Sequence, residues 1–290
     1  MRSTDPGVVL GLYRSRYERD LLEGALKLGV HRIDTSYNYL GFAAHHTLAQ
    51  RAGDLLPELS ISTKVGFFPA GRGGSEHSLD PQRLRQAVEE SAEELGVSPD
   101  VVFLHNPEHT LARLEPQQAS DVLADAGAEL EAAVASGLTS SWGIASWNPQ
   151  PLLPALEGTG DTSTPQVFMA RSGLTVSSRT LHAIEAVTAL WGLSPAQRWG
   201  MSPFAGHSTD PVWDQVNARM FLSDDSSCSN LAAAFRASYE LPNVSRVAVG
   251  TNQLGHLREL LQAAQLPAND SAIVSYRALL ATASTNRRRV

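Results

Sequence analysis

Four residues of this chain combine into one piece of acid–base chemistry: Asp34, Tyr39, Lys64 and His105. A tyrosine titrates near pH 10 and is a weak acid unaided. An ammonium from Lys64 favours the phenolate, so the pKa of Tyr39 is expected to come down. The Asp34 carboxylate holds that lysine charged and in place, and the His105 imidazole orients a carbonyl oxygen toward the Tyr39 hydroxyl. Such a group suits protonation of a carbonyl oxygen as a hydride arrives at its carbon. Each residue alone also has a plainer reading. An aspartate before a loop is commonly a turn or cap residue, a lysine ending a strand is commonly solvated, and a histidine in Leu104-His105-Asn106-Pro107 can simply bond a backbone carbonyl. Their arrival at successive strand ends is what carries the argument.

The elements that bring them together are read from short apolar runs alternating with amphipathic stretches. Strands are expected at Val8–Leu12, His31–Asp34, Leu59–Val65, Asp100–Leu104, Ser140–Ile144, Val167–Ala170, Arg198–Ser202 and Val244–Val249. Helices are expected at Glu18–Leu28, Ala43–Ala52, Asp80–Leu95, Pro116–Ser136, Pro149–Leu156, Ser178–Leu190, Leu231–Tyr239 and Leu254–Ala264, with a closing helix at Ser271–Ala281. Asp80-Pro81 reads as an N-cap and first-turn proline. Eight strand-then-helix units predict an α/β chain folded as a (β/α)8 TIM barrel, one domain over residues 1–290, with its chemistry at the C-terminal ends of the strands. An open doubly wound sheet wants Gly-x-Gly-x-x-Gly after the first strand, and Gly11-Leu12-Tyr13 does not continue that way. The run Gly71-Arg72-Gly73-Gly74 does not pass from a strand into a helix, so it reads as a mobile loop rather than a phosphate cradle.

Composition limits the partners. A formal net charge of −7 argues against a nucleic-acid surface. The one basic run, Arg287-Arg288-Arg289, reads as a frayed tail, and Asp224–Asn230 as a polar insertion. A single cysteine, Cys228, excludes an intrachain disulfide and points to a reducing cytoplasm. No apolar run has the length of a membrane span. A small molecule is the expected partner.

The segment Asp34-Thr35-Ser36-Tyr37-Asn38-Tyr39 resembles the Asp-Thr-Ala-x-x-Tyr signature of the aldo-keto reductases, and the resemblance extends from Leu10 to about Leu260. Lys64 in ISTKVG and His105 in DVVFLHNPE fall at matching positions. Trp142–Ser146 stands where the family has Gly-Val-Ser-Asn, and Ser202–Gly206 where it has Ser-Pro-Leu-Ala. The resemblance implies a metal-free barrel, a monomer or weak homo-oligomer, using NADPH, with NADH also possible, to reduce an aldehyde or ketone, Tyr39 donating the proton. It further implies cofactor contacts from Ser146, Gln166, Ser202, Phe204, Gly250, Thr251, Asn252, His256 and Arg258. Departures from the pattern are Ala145-Ser146 for Ser-Asn, Arg171 at a usually small polar position, and Leu260 for an asparagine that holds adenine.

Two other functions use the same residues. A barrel of this kind can perform cofactor-free proton transfer, as an isomerase or dehydratase, or bind nicotinamide without catalysis as a regulator. Tyr13, Tyr37, Phe67, Phe68, Trp147 and Trp213 are the candidate walls of a substrate pocket, and the short tail implies an open side.

Overall fold

The computed structural model describes residues 7–158, 163–223 and 228–286. The basic run Arg287-Arg288-Arg289 and most of the polar insertion, residues 224–227, lie outside them. In chain order the strands are β1 (Val8–Gly11), β2 (Arg32–Asp34), β3 (Ser60–Val65), β4 (Phe67–Ala70), β5 (Gly74–His77), β6 (Val101–His105), β7 (Ser141–Ser146), β8 (Val167–Arg171), β9 (Arg198–Met201) and β10 (Arg246–Val249). Eight of these close into a barrel in the order β1-β10-β9-β8-β7-β6-β3-β2, every neighbouring pair parallel. Helices packed around the outside complete a (β/α)8 barrel, and the open-sheet alternative falls with the closure between β1 and β10.

Side chains alternate across each strand. In β6, Val101 and Phe103 turn inward to meet Val9, Ala145, Met169, Trp199 and Ala248, while Val102 and Leu104 turn out toward the helices. Phe103 fills the barrel because β7 offers Gly143 beside it: a Cβ there would lie 2.8 Å from the Phe103 ring and 2.4 Å from the Val167 carbonyl. The mouth therefore stands on a packed apolar floor. The same alternation brings His105, one step beyond Phe103, to the mouth.

Helix starts follow local chemistry. Asp80 accepts the Arg83 N–H at 3.0 Å, Pro81 occupies the first turn, and Gly96 ends the helix Pro81–Leu95 at a φ of 69°. A side-chain cap of this kind is worth about 1 kcal/mol. The run expected to be a mobile loop is different. Gly71–Gly73 forms the turn of an antiparallel β4–β5 hairpin that pairs Phe67 with His77. Pro69 is tolerated because the hairpin is two-stranded, so its missing N–H breaks no central ladder. Among the described residues no helix is long and apolar enough to cross a membrane.

Candidate active site

Asp34 ends β2 and Lys64 lies near the end of β3, and the register sets Asp34 opposite Ser62. Lys64 Nζ donates to Asp34 Oδ2 at 2.5 Å and to the Thr35 carbonyl at 2.8 Å. Ser62 Oγ donates to the other carboxylate oxygen at 2.8 Å. Tyr39 follows in a short 3-10 turn, Tyr39–Phe42, with its Oη 3.5 Å from Lys64 Nζ. The ring lies 5.1 Å from that of Tyr13, centroid to centroid.

The electrostatics correct one expectation. Lys64 was expected to lower the pKa of Tyr39, yet burial, then the Asp34 charge, then Tyr13 push it well above 10. Lys64 is shared with Asp34 and the Thr35 carbonyl at shorter range than with the phenol, and its ammonium does not outweigh burial. Tyr39 is thereby held as a protonated acid at neutral pH.

His105 ends β6 with its ring 6.3 Å from that of Tyr39, edge on. Burial, reinforced by the Lys64 charge, holds its pKa well below 6.5, so the imidazole is neutral. The hairpin clamps it. Phe67 packs its ring edge at 5.0 Å, and His77 Nε2 donates to the His105 carbonyl at 2.9 Å. Gly66 permits this approach: its φ is 135°, and a Cβ would sit 3.3 Å from that carbonyl.

A cavity of about 440 Å³ runs from Asp34, Tyr39 and Lys64 to the N-terminal turn of the helix Leu254–Ala264, with His105 behind Tyr39 rather than in its lining. Of the expected cofactor residues, Ser202, Phe204, Gly250, Thr251, Asn252 and His256 line it. Gly250 and Gly11 face each other where β10 meets β1, and a Cβ on Gly250 would stand 3.3 Å from the Gly11 carbonyl. Asn252 Oδ1 lies 3.3 Å from Ser15 Oγ and 3.3 Å from the Arg16 N–H, so the loops after β1 and β10 meet there.

The other three cofactor positions are not brought to the cavity wall. Gln166 precedes β8, at the opposite end of the barrel, where its Oε1 accepts the Trp142 N–H at 2.9 Å. Ser146 is fully buried and donates to Glu108 Oε2 at 2.9 Å. Arg258 is exposed on the outer side of its helix. Of the candidate pocket aromatics, Tyr13 and Trp147 line the cavity. Tyr37 instead donates to Glu90, and Phe68 and Trp213 belong to the core.

Sequence reasoning missed Glu108, whose buried carboxylate accepts from Ser146 Oγ and, at 2.7 and 2.9 Å, from the N–H groups of Trp147 and Asn148. Nothing in the motif Asn106-Pro107-Glu108 announces this; only the register of His105 opposite Ala145 brings the two loops together. His77, on the unforeseen hairpin, was missed with it.

The sequence model of the aldo/keto reductase family matches residues 11–162. No curated protein matches the sequence. Among solved structures, an aldo-keto reductase from Bacillus halodurans in its holo form is similar at a TM-score of 0.72 and 18% identity, covering 94% of this chain and 91% of that one. An aldose reductase from Giardia lamblia gives 0.66 at 15% identity, with 96% and 93% covered. An aldo-keto reductase from Klebsiella pneumoniae in complex with NADPH gives 0.65 at 16% identity, with 96% and 92% covered.

Proposed function

From the premise that this chain belongs to the aldo/keto reductase family, we propose that it reduces an aldehyde or ketone with NADPH, NADH serving as the alternative donor. The observation that carries the reading is the Asp34–Lys64–Tyr39 chain, 2.5 Å and then 3.5 Å, along one wall of the cavity.

The residues present fit a nicotinamide dinucleotide. The helix Leu254–Ala264 begins at Gln253 without a side-chain cap, so its first N–H groups and positive pole suit a phosphate. Thr251, Asn252 and His256 add polar side chains there, and Gly250 keeps the groove open. Ser202 and Phe204 form the bed between that end and Tyr39. When bound, the nicotinamide supplies the hydride.

The chain's own groups do the rest. Tyr39 keeps its proton at neutral pH and releases it to the carbonyl oxygen as negative charge builds there. The Lys64 ammonium, fixed by Asp34, stabilises the phenolate left behind. His105 Nε2 orients the carbonyl oxygen, and its neutrality keeps it from displacing Tyr39 as the acid. Tyr13 and Trp147 shape the open side against the substrate.

Titration with NADPH and NADH by tryptophan fluorescence, followed by a panel of carbonyl compounds, tests this reading. Tyr39→Phe is expected to keep nucleotide binding and lose about 100-fold or more in kcat. Undiminished reduction by that variant, or no nucleotide binding by the native chain, sinks the proposal.

A further inference from the structure

Ser36 is fully buried, at the position where the family signature carries alanine. Its Oγ lies 3.1 Å from His105 Nδ1, 2.7 Å from Asn38 Oδ1 and 3.3 Å from the Lys64 carbonyl. That carbonyl already accepts the Tyr37 N–H at 3.0 Å. A hydroxyl has one hydrogen to give, so Asn38, His105 and, at the longest distance, the second lone pair of the Lys64 carbonyl compete for it. The neutral imidazole likewise has one N–H. Among the described residues its Nε2 has no hydrogen-bond partner, which leaves that nitrogen for a ligand.

We propose that Ser36, steered by Asn38, is a positioning residue that decides which nitrogen of His105 carries the proton. With the Asn38 oxygen toward Ser36, the hydroxyl donates to Asn38 and accepts Nδ1–H. His105 Nε2 is then an acceptor, suited to the hydroxyl of an alcohol. If the Asn38 amide turns over, its Nδ2–H donates to Ser36, Ser36 donates to Nδ1, and Nε2–H is the donor that a carbonyl oxygen requires. In passing from one form to the other, water at the mouth gives Nε2 a proton; Nδ1 passes its own to Ser36 Oγ, which releases its hydrogen to solvent beside the partly exposed Asn38, and that proton and the hydroxide left at the mouth re-form water, so the charge of the site is unchanged. The backbone of His105 stays fixed meanwhile by the His77 hydrogen bond. The role in reduction rests on the reading of His105 as the group that meets the substrate oxygen.

The test uses variants at the partly exposed Asn38, where the fold is least at risk. A carboxylate can only accept, so Asn38→Asp holds the Ser36 hydrogen and fixes His105 as Nδ1–H. Asn38→Ala frees that hydrogen for Nδ1 and fixes Nε2–H. Imidazole ¹⁵N shifts of the full chain are expected to show opposite tautomers in the two variants and a mixture in Ser36→Ala. Carbonyl reduction by Asn38→Asp is expected about tenfold below that by Asn38→Ala, in kcat rather than KM. The same tautomer in both variants, or a doubly protonated ring in Asn38→Asp, overturns the proposal. Opposite tautomers in a chain that reduces no carbonyl would support the Ser36 relay and count against the reductase reading alone.

Discussion

The Lys64 ammonium stands 2.5 Å from the Asp34 carboxylate, the two residues 2% and 5% exposed. A buried pair of this kind adds little net stability, because desolvating two charges offsets most of their attraction, but leaving one partner alone is costly. Lys64→Met is therefore expected to destabilise the fold by about 3–5 kcal/mol. The double variant Asp34→Asn with Lys64→Met should recover most of that loss. Both are expected to lose carbonyl reduction by at least about 100-fold, since neither offers a cation to the phenolate. Urea unfolding beside kcat decides: a double variant no more stable than Lys64→Met contradicts the buried-pair account.

The raised pKa of Tyr39 predicts the shape of the pH–rate profile. In the proposed reduction its acid form is the reactive one, and that form is lost only as pH climbs through a value well above 10. Reduction is expected to hold nearly level from about pH 6 to 9, with no falling limb at neutral pH. Measurement of kcat across that range with saturating nucleotide checks it; a fall centred near pH 7 to 8 would mean that Lys64 depresses the phenol after all.

Much of the barrel was legible because buried parallel strands read as short apolar runs, and each run ended within about two residues of its expected place. The placement of Asp34, Lys64 and His105 was legible for the same reason: they are polar residues at or near the ends of such runs. The β4–β5 hairpin was not. Phe67-Phe68-Pro69-Ala70 contains a proline and its partner strand is polar, so neither half carries a strand pattern. Gln166 was misplaced because a matched letter in QVFMARSG does not say which end of the strand it occupies; the register of Gly143 with Val167 puts it at the far end. Glu108 and Ser36 act through neighbours distant in sequence, and no local spacing encodes that.

The buried Glu108 ties the loop after β7 to the loop after β6, and Trp147 on that loop lines the cavity. Burial raises the Glu108 pKa, although four hydrogen bonds from the protein work the other way. Glu108→Ala strands the Ser146 hydroxyl and the Asn148 N–H and leaves the Trp147 N–H to Asn106 alone, and is expected to cost about 3 kcal/mol. Glu108→Gln retains an acceptor oxygen and should cost less than half of that. Thermal unfolding would rank the two, and hydrogen exchange at Trp147 and Asn148 should rise in Glu108→Ala. An unchanged exchange rate there would show that the loop is held by Asn106 instead, whose Oδ1 also accepts the Trp147 N–H at 3.1 Å.

His45 makes stability depend on acidity. It is 1% exposed on the helix Ala44–Ala52, with Nε2 2.8 Å from Thr63 Oγ1 and, among the described residues, no partner for Nδ1. Burial, with the Lys64 charge behind it, lowers its pKa from 6.5 to about 4. The unfolded chain therefore binds a proton between those values that the folded chain refuses. The contribution is complete above pH 6.5 and is lost as pH falls toward 4, amounting to about 3 kcal/mol over the interval. His77, lowered to about 4 chiefly by burial, adds to the slope in the same direction. His45→Gln can keep the bond to Thr63 without titrating, so its unfolding free energy should fall less steeply over that range than the native chain's. Urea titrations at half-unit pH steps would show this as converging curves at low pH; parallel curves would mean that His45 is as readily protonated in the fold as in water.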